Sequence, residues 1–174
     1  MKKLLMIVIL MFGLTNIACK APNLGISEKA FKIEYVNNYL KELRVKKEID
    51  SIKHSEFSYK LLKRYLKLKG VKDSKIVMKQ FILETGHFRS KSFTKYNNIS
   101  GMKLPRVRPT TAIGTGYGHA AYNHWTDSVD DYLLWQEYNK DKLASTNTYY
   151  QFLSKVGYAE NSQYVKLLKR IQVT

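Results

Sequence analysis

Apolar residues recur along the chain at intervals of three and four, in blocks separated by glycine, proline and asparagine. That spacing predicts helices. Residues 28–56 form the first block, with Phe31, Tyr35, Leu40 and Leu43 at loosely helical intervals and Ser27 placed to cap it. A second helix is expected from Phe57 to Lys69, closed by Gly70 where a left-handed residue suits a helix end. A third begins at Asp73 or Ser74 as N-cap and runs through KIVMKQFILET to Gly86. Its apolar residues Ile76, Val77, Met78, Phe81, Ile82 and Leu83 cover most of the circumference, the pattern of a buried central helix. Residues 97–125 change character: Gly101, Gly114, Gly116, Gly118, Pro105 and Pro109 break the run. GYGHAAYNHW alternates weakly, which predicts a β-hairpin with its turn near GTGYG. Helix resumes at DSVDDYLLWQEY, with Asp127 expected as N-cap and Asp130 at the capping-box position. TYYQFLSKV, stopped by Gly157, and SQYVKLLKRIQ after Asn161 complete the chain. The fold class is mainly α, an α+β arrangement of one helical domain with one small hairpin lobe.

The first residues obey a different pattern. Lys2 and Lys3 precede an apolar stretch, Leu4 to Leu14, too short for the roughly 20 residues that span a bilayer. Residues 1–18 therefore read as a signal peptide. Cys19 follows, the one cysteine of the chain, so no internal disulfide is possible. NIAC is similar to the lipobox of bacterial lipoproteins, although Asn16 departs from its usual leucine. That likeness implies lipidation of Cys19, with residues 19–27 as a tether, in an exported protein held at the cell envelope by its lipid; ordinary secretion after cleavage at another bond is the alternative. The net charge of +16 falls to +14 once residues 1–18 are set aside. Such a charge attracts anionic envelope polymers and lipid headgroups, and export argues against nucleic acid.

One acid stands out. Glu84 ends the apolar third helix, where burial and the negative end of the helix dipole both favour the protonated form. A carboxylic acid that keeps its proton can protonate a leaving oxygen, as a glycosidase general acid does. The plain alternative is a partly exposed helix-end carboxylate. His54, His87, His119 and His124 form no metal motif, and no cofactor or metal is implied. His119 and His124 differ by an odd number, so on one strand they would face opposite sides.

Four motifs then occur in order: ETGHF (84–88), YNNISGMK (96–103), YNHWTDSVDDY (122–132) and GYAENSQYVKLL (157–168). Together they resemble the peptidoglycan endo-β-N-acetylglucosaminidase family, which includes the flagellar-rod hydrolase and autolysins. The likeness covers residues 57–171 and is close to short exported members of the Bacteroidetes type. It implies a lysozyme-like domain, residues 57–174, and a monomer that cleaves β-1,4 bonds of peptidoglycan glycan strands. Glu84 matches the general acid, and Tyr158 the tyrosine beside the scissile bond. Asn97 and Asn98 match the paired asparagines, which bind substrate or simply make a turn. Tyr117, Tyr122 and Trp125 offer aromatic faces for sugar rings, or for packing. Tyr164 is read as packing the last helix.

One departure matters. Many members carry a second acid on the β-lobe, but no Asp or Glu lies between Glu84 and Asp127 here. Attack by water and assistance by the substrate's 2-acetamido group both stay open, as does a non-catalytic envelope module that binds glycan or protein.

Overall fold

The computed structural model describes residues 28–173. The signal peptide, tether, Cys19 and the Ser27 cap lie outside the described residues. Contacts divide the chain into residues 1–44 and residues 45–174. Helix α1 (Glu28–Lys53) begins in the first unit and ends in the second. In the first unit its residues Ile33, Tyr35, Val36, Tyr39 and Leu40 are exposed.

The second unit continues with α2 (Tyr59–Leu68), α3 (Ser74–Glu84), α4 (Lys91–Tyr96), β1 (Gly114–Gly116) and β2 (His119–Ala121). Four more helices follow: α5 (Trp125–Tyr138), α6 (Lys140–Ala144), α7 (Tyr149–Val156) and α8 (Tyr164–Arg170). The architecture is mainly α with one small hairpin, as expected of a lysozyme-like domain. Helix α3 is central, packing against α2 and α8, while α5 packs on α2 and the hairpin on α4. Val77, Met78, Phe81 and Ile82 of α3 are buried among Leu62, Tyr65, Trp125, Tyr132 and Phe152. Ile52, from the end of α1, joins the same core. On α2, Leu62, Tyr65 and Leu66 are buried while Lys60, Lys63 and Lys67 lie on the exposed side. The lysines there are a solvated face over an apolar stripe.

Glycines end the helices as the sequence predicts. After α2, Gly70 adopts φ +67°, Val71 N–H donates to Leu66 C=O (3.0 Å) and Gly70 N–H to Lys67 C=O (3.2 Å). This is a Schellman ending, which satisfies two carbonyls that the helix leaves open. The same pair of bonds closes α7 through Gly157 and Tyr158.

The N-termini depart from expectation at two places. Asp73 occupies the N-cap of α3 but sits at φ 50° and makes no side-chain capping bond. Asp127 is not the N-cap of α5; His124 is, and Asp127 lies three residues inside. The Asp127 carboxylate accepts from His124 N–H (3.1 Å) to complete a capping box. His124 Nε2–H donates to the Ser55 carbonyl (3.0 Å), leaving Nδ1 to accept from Thr126 (2.8 Å to its hydroxyl). Trp125 Nε1–H reaches the same carbonyl (3.3 Å), so the helix starts where these rings anchor. Asp130 is no cap either, and takes Lys53 (3.2 Å), Lys69 (3.0 Å) and the Tyr65 hydroxyl (3.0 Å).

Candidate active site

The sequence ETGHF ends α3 at Glu84, with Thr85 as its C-cap. Gly86, His87 and Phe88 all take positive φ (53°, 59° and 64°). Left-handed backbone costs a non-glycine residue about 1–2 kcal/mol, so this turn needs compensation. Thr85, fully buried, supplies it. Its Oγ1 accepts from Phe88 N–H (2.8 Å), and its carbonyl accepts from Arg89 (2.9 Å) and Ser90 (2.8 Å). The Phe88 ring packs on Phe57 (4.9 Å) and Phe93 (5.9 Å). Glu84 thereby lies in the last turn of a buried helix, itself only partly buried.

Its two oxygens have different surroundings. Oε1 accepts a hydrogen bond from the Tyr164 hydroxyl at 2.7 Å. Oε2 faces Gly101, where an added Cβ would lie 2.6 Å from it. Gly101 also has φ +70°, so a glycine there answers both backbone and space. Because Tyr164 occupies Oε1 as donor, the proton of a neutral Glu84 belongs on Oε2. Burial raises the Glu84 pKa above the usual carboxylate value; the Tyr164 hydrogen bond and the field of His119 pull it partly back.

Tyr164 is buried, as a core residue should be, yet it is also the end of a polar array that crosses the core. Gln80 Nε2–H donates to the Tyr164 oxygen (3.3 Å), and Tyr132 donates to Gln80 Oε1 (2.6 Å). Tyr132 has one proton, so Tyr149 donates to it (2.6 Å), and Gln136 Nε2–H donates to Tyr149 (2.7 Å). Lys72 N–H closes the array on Gln136 Oε1 (3.2 Å). Each of these bonds is donated in the direction of Glu84, which favours its carboxylate form. No buried side-chain nitrogen or oxygen among the described residues lacks a partner.

If Glu84 serves as the general acid that the family resemblance implies, it becomes a carboxylate as it works, and this donor strengthens along the reaction. A hydrogen bond to a charged group contributes about 1.5–3 kcal/mol, or roughly ten- to a hundredfold in rate. Tyr164→Phe is expected to lose that factor in kcat. It also removes a bond that lowers the Glu84 pKa, so the alkaline limb of the pH–rate profile moves to higher pH. Rates of sugar release from pH 4 to 9 check both; an unmoved limb would leave Tyr164 as packing alone.

The hairpin stands against the end of α4. Its turn, Tyr117–Gly118, has positive φ at both residues (52° and 76°), the geometry of a two-residue type I′ hairpin. Register pairs Gly116 with His119 and Thr115 with Ala120. A Cβ on Gly116 would meet the Tyr96 ring at 2.5 Å, so only glycine lets this face lie on that ring. Asn97 ends α4 in left-handed geometry, and its Nδ2 donates to the carbonyls of Tyr122 (3.1 Å) and Asn123 (2.9 Å). Asn98 is fully buried; Nδ2 donates to Met102 (2.9 Å) and Ala120 (2.7 Å), and Oδ1 accepts from Gly101 N–H (2.7 Å). Both asparagines thus act as braces, and Asn98 fixes the glycine beside Glu84.

The expected aromatic trio does not assemble. Tyr122 and Trp125 are buried, at 3% and 2% exposure, and present no ring to a sugar. Trp125 packs on Phe57 and Tyr65, each at 5.6 Å. Tyr117 alone is exposed (56%), at the hairpin tip with its ring edge-on to Tyr96 (5.5 Å). Tyr158 lies where its helix stop predicts, stacked on Tyr164 (5.8 Å), with its hydroxyl donating to Ser100 C=O (2.8 Å). Burial, first, and then the charges of Tyr164 and Glu84 push its phenol well above its ordinary pKa, so it is a neutral donor.

Sequence reasoning also passed over Asp131. It is fully buried and receives Arg108 in two bonds (2.8 and 2.9 Å), with the Tyr122 hydroxyl at 2.9 Å. Burial alone would raise its pKa, but these donors outweigh it and hold the carboxyl below the usual range. Asp131 therefore ties the 102–113 loop to α5 and is not free for chemistry. A cavity of about 190 Å³, lined by Leu153, Gly157, Ala159, Asn161 and Tyr164, lies between α7 and α8; Glu84 does not line it.

Comparison with family models matches residues 59–174 to the Glucosaminidase model, described as mannosyl-glycoprotein endo-β-N-acetylglucosaminidase. No curated protein and no solved structure matches the chain.

Proposed function

The chain belongs to the glucosaminidase family of glycoside hydrolases, and from that premise we propose that it is an exported peptidoglycan hydrolase with Glu84 as its general acid. The bond cut is the β-1,4 linkage on the N-acetylglucosaminyl side of the glycan strand. One observation carries the reading: a partly buried carboxyl with its Oε1 held by Tyr164 and its Oε2 set against Gly101. Such a group can keep its proton near neutral pH and has one defined atom from which to deliver it. Tyr158 and the exposed ring of Tyr117 are the residues left to position the sugar. The signal-like residues 1–18 support export, and the lipobox-like NIAC supports a lipid on Cys19. A charge of +14 on the remainder supports attraction to anionic envelope polymers, weakened by salt.

The absence of acids between Glu84 and Asp127 favours one rival, a glycan-binding module without activity. Digestion of purified sacculi, borohydride reduction and mass analysis of the new ends separates the two. Reduced N-acetylglucosamine ends are expected. Reduced muramic ends would make the chain a muramidase, and retention on sacculi with no new ends would make it a binding module.

A further inference from the structure

Hydrolysis needs a group to take the proton of the attacking water, and the carboxylates near the site are engaged elsewhere. Asp127 belongs to the α5 capping box, Asp130 takes two lysines and a tyrosine, and Asp131 is bound by Arg108 and Tyr122. Glu160 points fully into solvent near Lys103 (3.9 Å). Accepting that the chain is a hydrolase with Glu84 as acid, we propose that His119 is the catalytic base that activates water.

Three observations support it. His119 opens β2 opposite Gly116, and directly paired residues project from the same face of a hairpin. That face lies on Tyr96, and the next residue, Ala120, bonds through its N–H to Met102 C=O (2.9 Å), adjoining the Gly101 that touches Glu84. The strand thus runs past the 101–102 segment that adjoins Glu84, and the field of His119 reaches the Glu84 carboxyl. Nδ1 lies 2.9 Å from the Tyr117 carbonyl, which can only accept. The neutral ring must therefore carry its proton on Nδ1, leaving the Nε2 lone pair bare. A fixed tautomer with an open nitrogen is what a general base requires.

The step balances. Water oxygen bonds to C1 of the sugar and its proton passes to Nε2, while the Glu84 Oε2 proton passes to the departing O4 and the C1–O4 bond breaks. Imidazolium and carboxylate remain, and exchange with solvent resets both.

The test compares the full chain with its His119→Ala, Glu160→Gln and Glu84→Gln variants on purified sacculi, with folding followed by thermal melts. His119→Ala is expected to lose about 10²- to 10⁴-fold in rate, the range for a general base, while melting as wild type does. Sodium azide attacks without giving up a proton, so it should restore cleavage to His119→Ala and leave azide on C1 of the new end. Azide should restore nothing to Glu84→Gln. The inference is overturned if His119→Ala stays within threefold of wild type, or if Glu160→Gln is the variant that azide rescues. A wild type that releases no ends overturns the hydrolase reading itself, and the base with it.

Discussion

Glu84→Gln is expected to abolish cleavage and, at neutral pH, to melt at a higher temperature than wild type. The first effect follows from losing the proton donor, about 10²- to 10⁴-fold for general acid catalysis. The second follows from burial. The folded Glu84 pKa is raised above that of an unfolded glutamate. Between the two pKa values the unfolded chain sheds its proton first, so the carboxyl destabilises the fold increasingly as pH rises. Above the folded pKa the penalty is complete; below about pH 4 it vanishes. Glutamine does not ionise and can still accept from Tyr164. The variant's advantage should therefore be present at pH 8 and absent at pH 4. Melts at the two pH values, with sacculus assays alongside, test the pair of effects. An active variant, melting lower at both, would make Glu84 an ordinary structural side chain.

Arg108→Ala should produce the largest loss of stability. The Arg108 side chain is 5% exposed and that of Asp131 0%, joined by two bonds. Removing one partner of a buried pair leaves the other charge uncompensated, at a cost of about 3–5 kcal/mol. In a unit of this size that lowers Tm by roughly 10–20 °C. Replacing both, as Arg108→Met with Asp131→Leu, should recover most of the loss, because no charge is then stranded. Acid should weaken the wild type at this site. The Asp131 pKa is held low, so its contribution is present above the unfolded carboxylate pKa and is lost as pH falls through the folded one. Urea unfolding of the single and double variants decides it; a single-variant loss below 1 kcal/mol would contradict the argument.

The helices and their glycine stops were legible because their causes are local. Gly70, Gly86 and Gly157 each act within a few residues of themselves, and the α3 pattern declares its own burial. The α5 start was misread because Asp127 and His124 both suit a helix entrance, and the decision rests on Ser55, distant in sequence. Tyr164 shows the same limit. Apolar periodicity places its ring in the core, but its hydroxyl answers to a carboxyl 80 positions earlier. Asn97 and Asn98 look like ligand residues until the carbonyls of Met102, Ala120, Tyr122 and Asn123 are seen to claim them. For His119, strand alternation gives the side of the ribbon and says nothing about which acid lies nearby.

Tyr96 has a further consequence. Gly116 rests on its ring, Tyr122 N–H bonds to its carbonyl (3.0 Å), and the next two residues are the bracing asparagines. Fastened at so many points, the hairpin is held to the end of α4 and to the loop that carries Gly101. A glycan strand brought to Glu84 would then meet a hairpin already fixed in place, and the strand's own slack would decide how readily it fits.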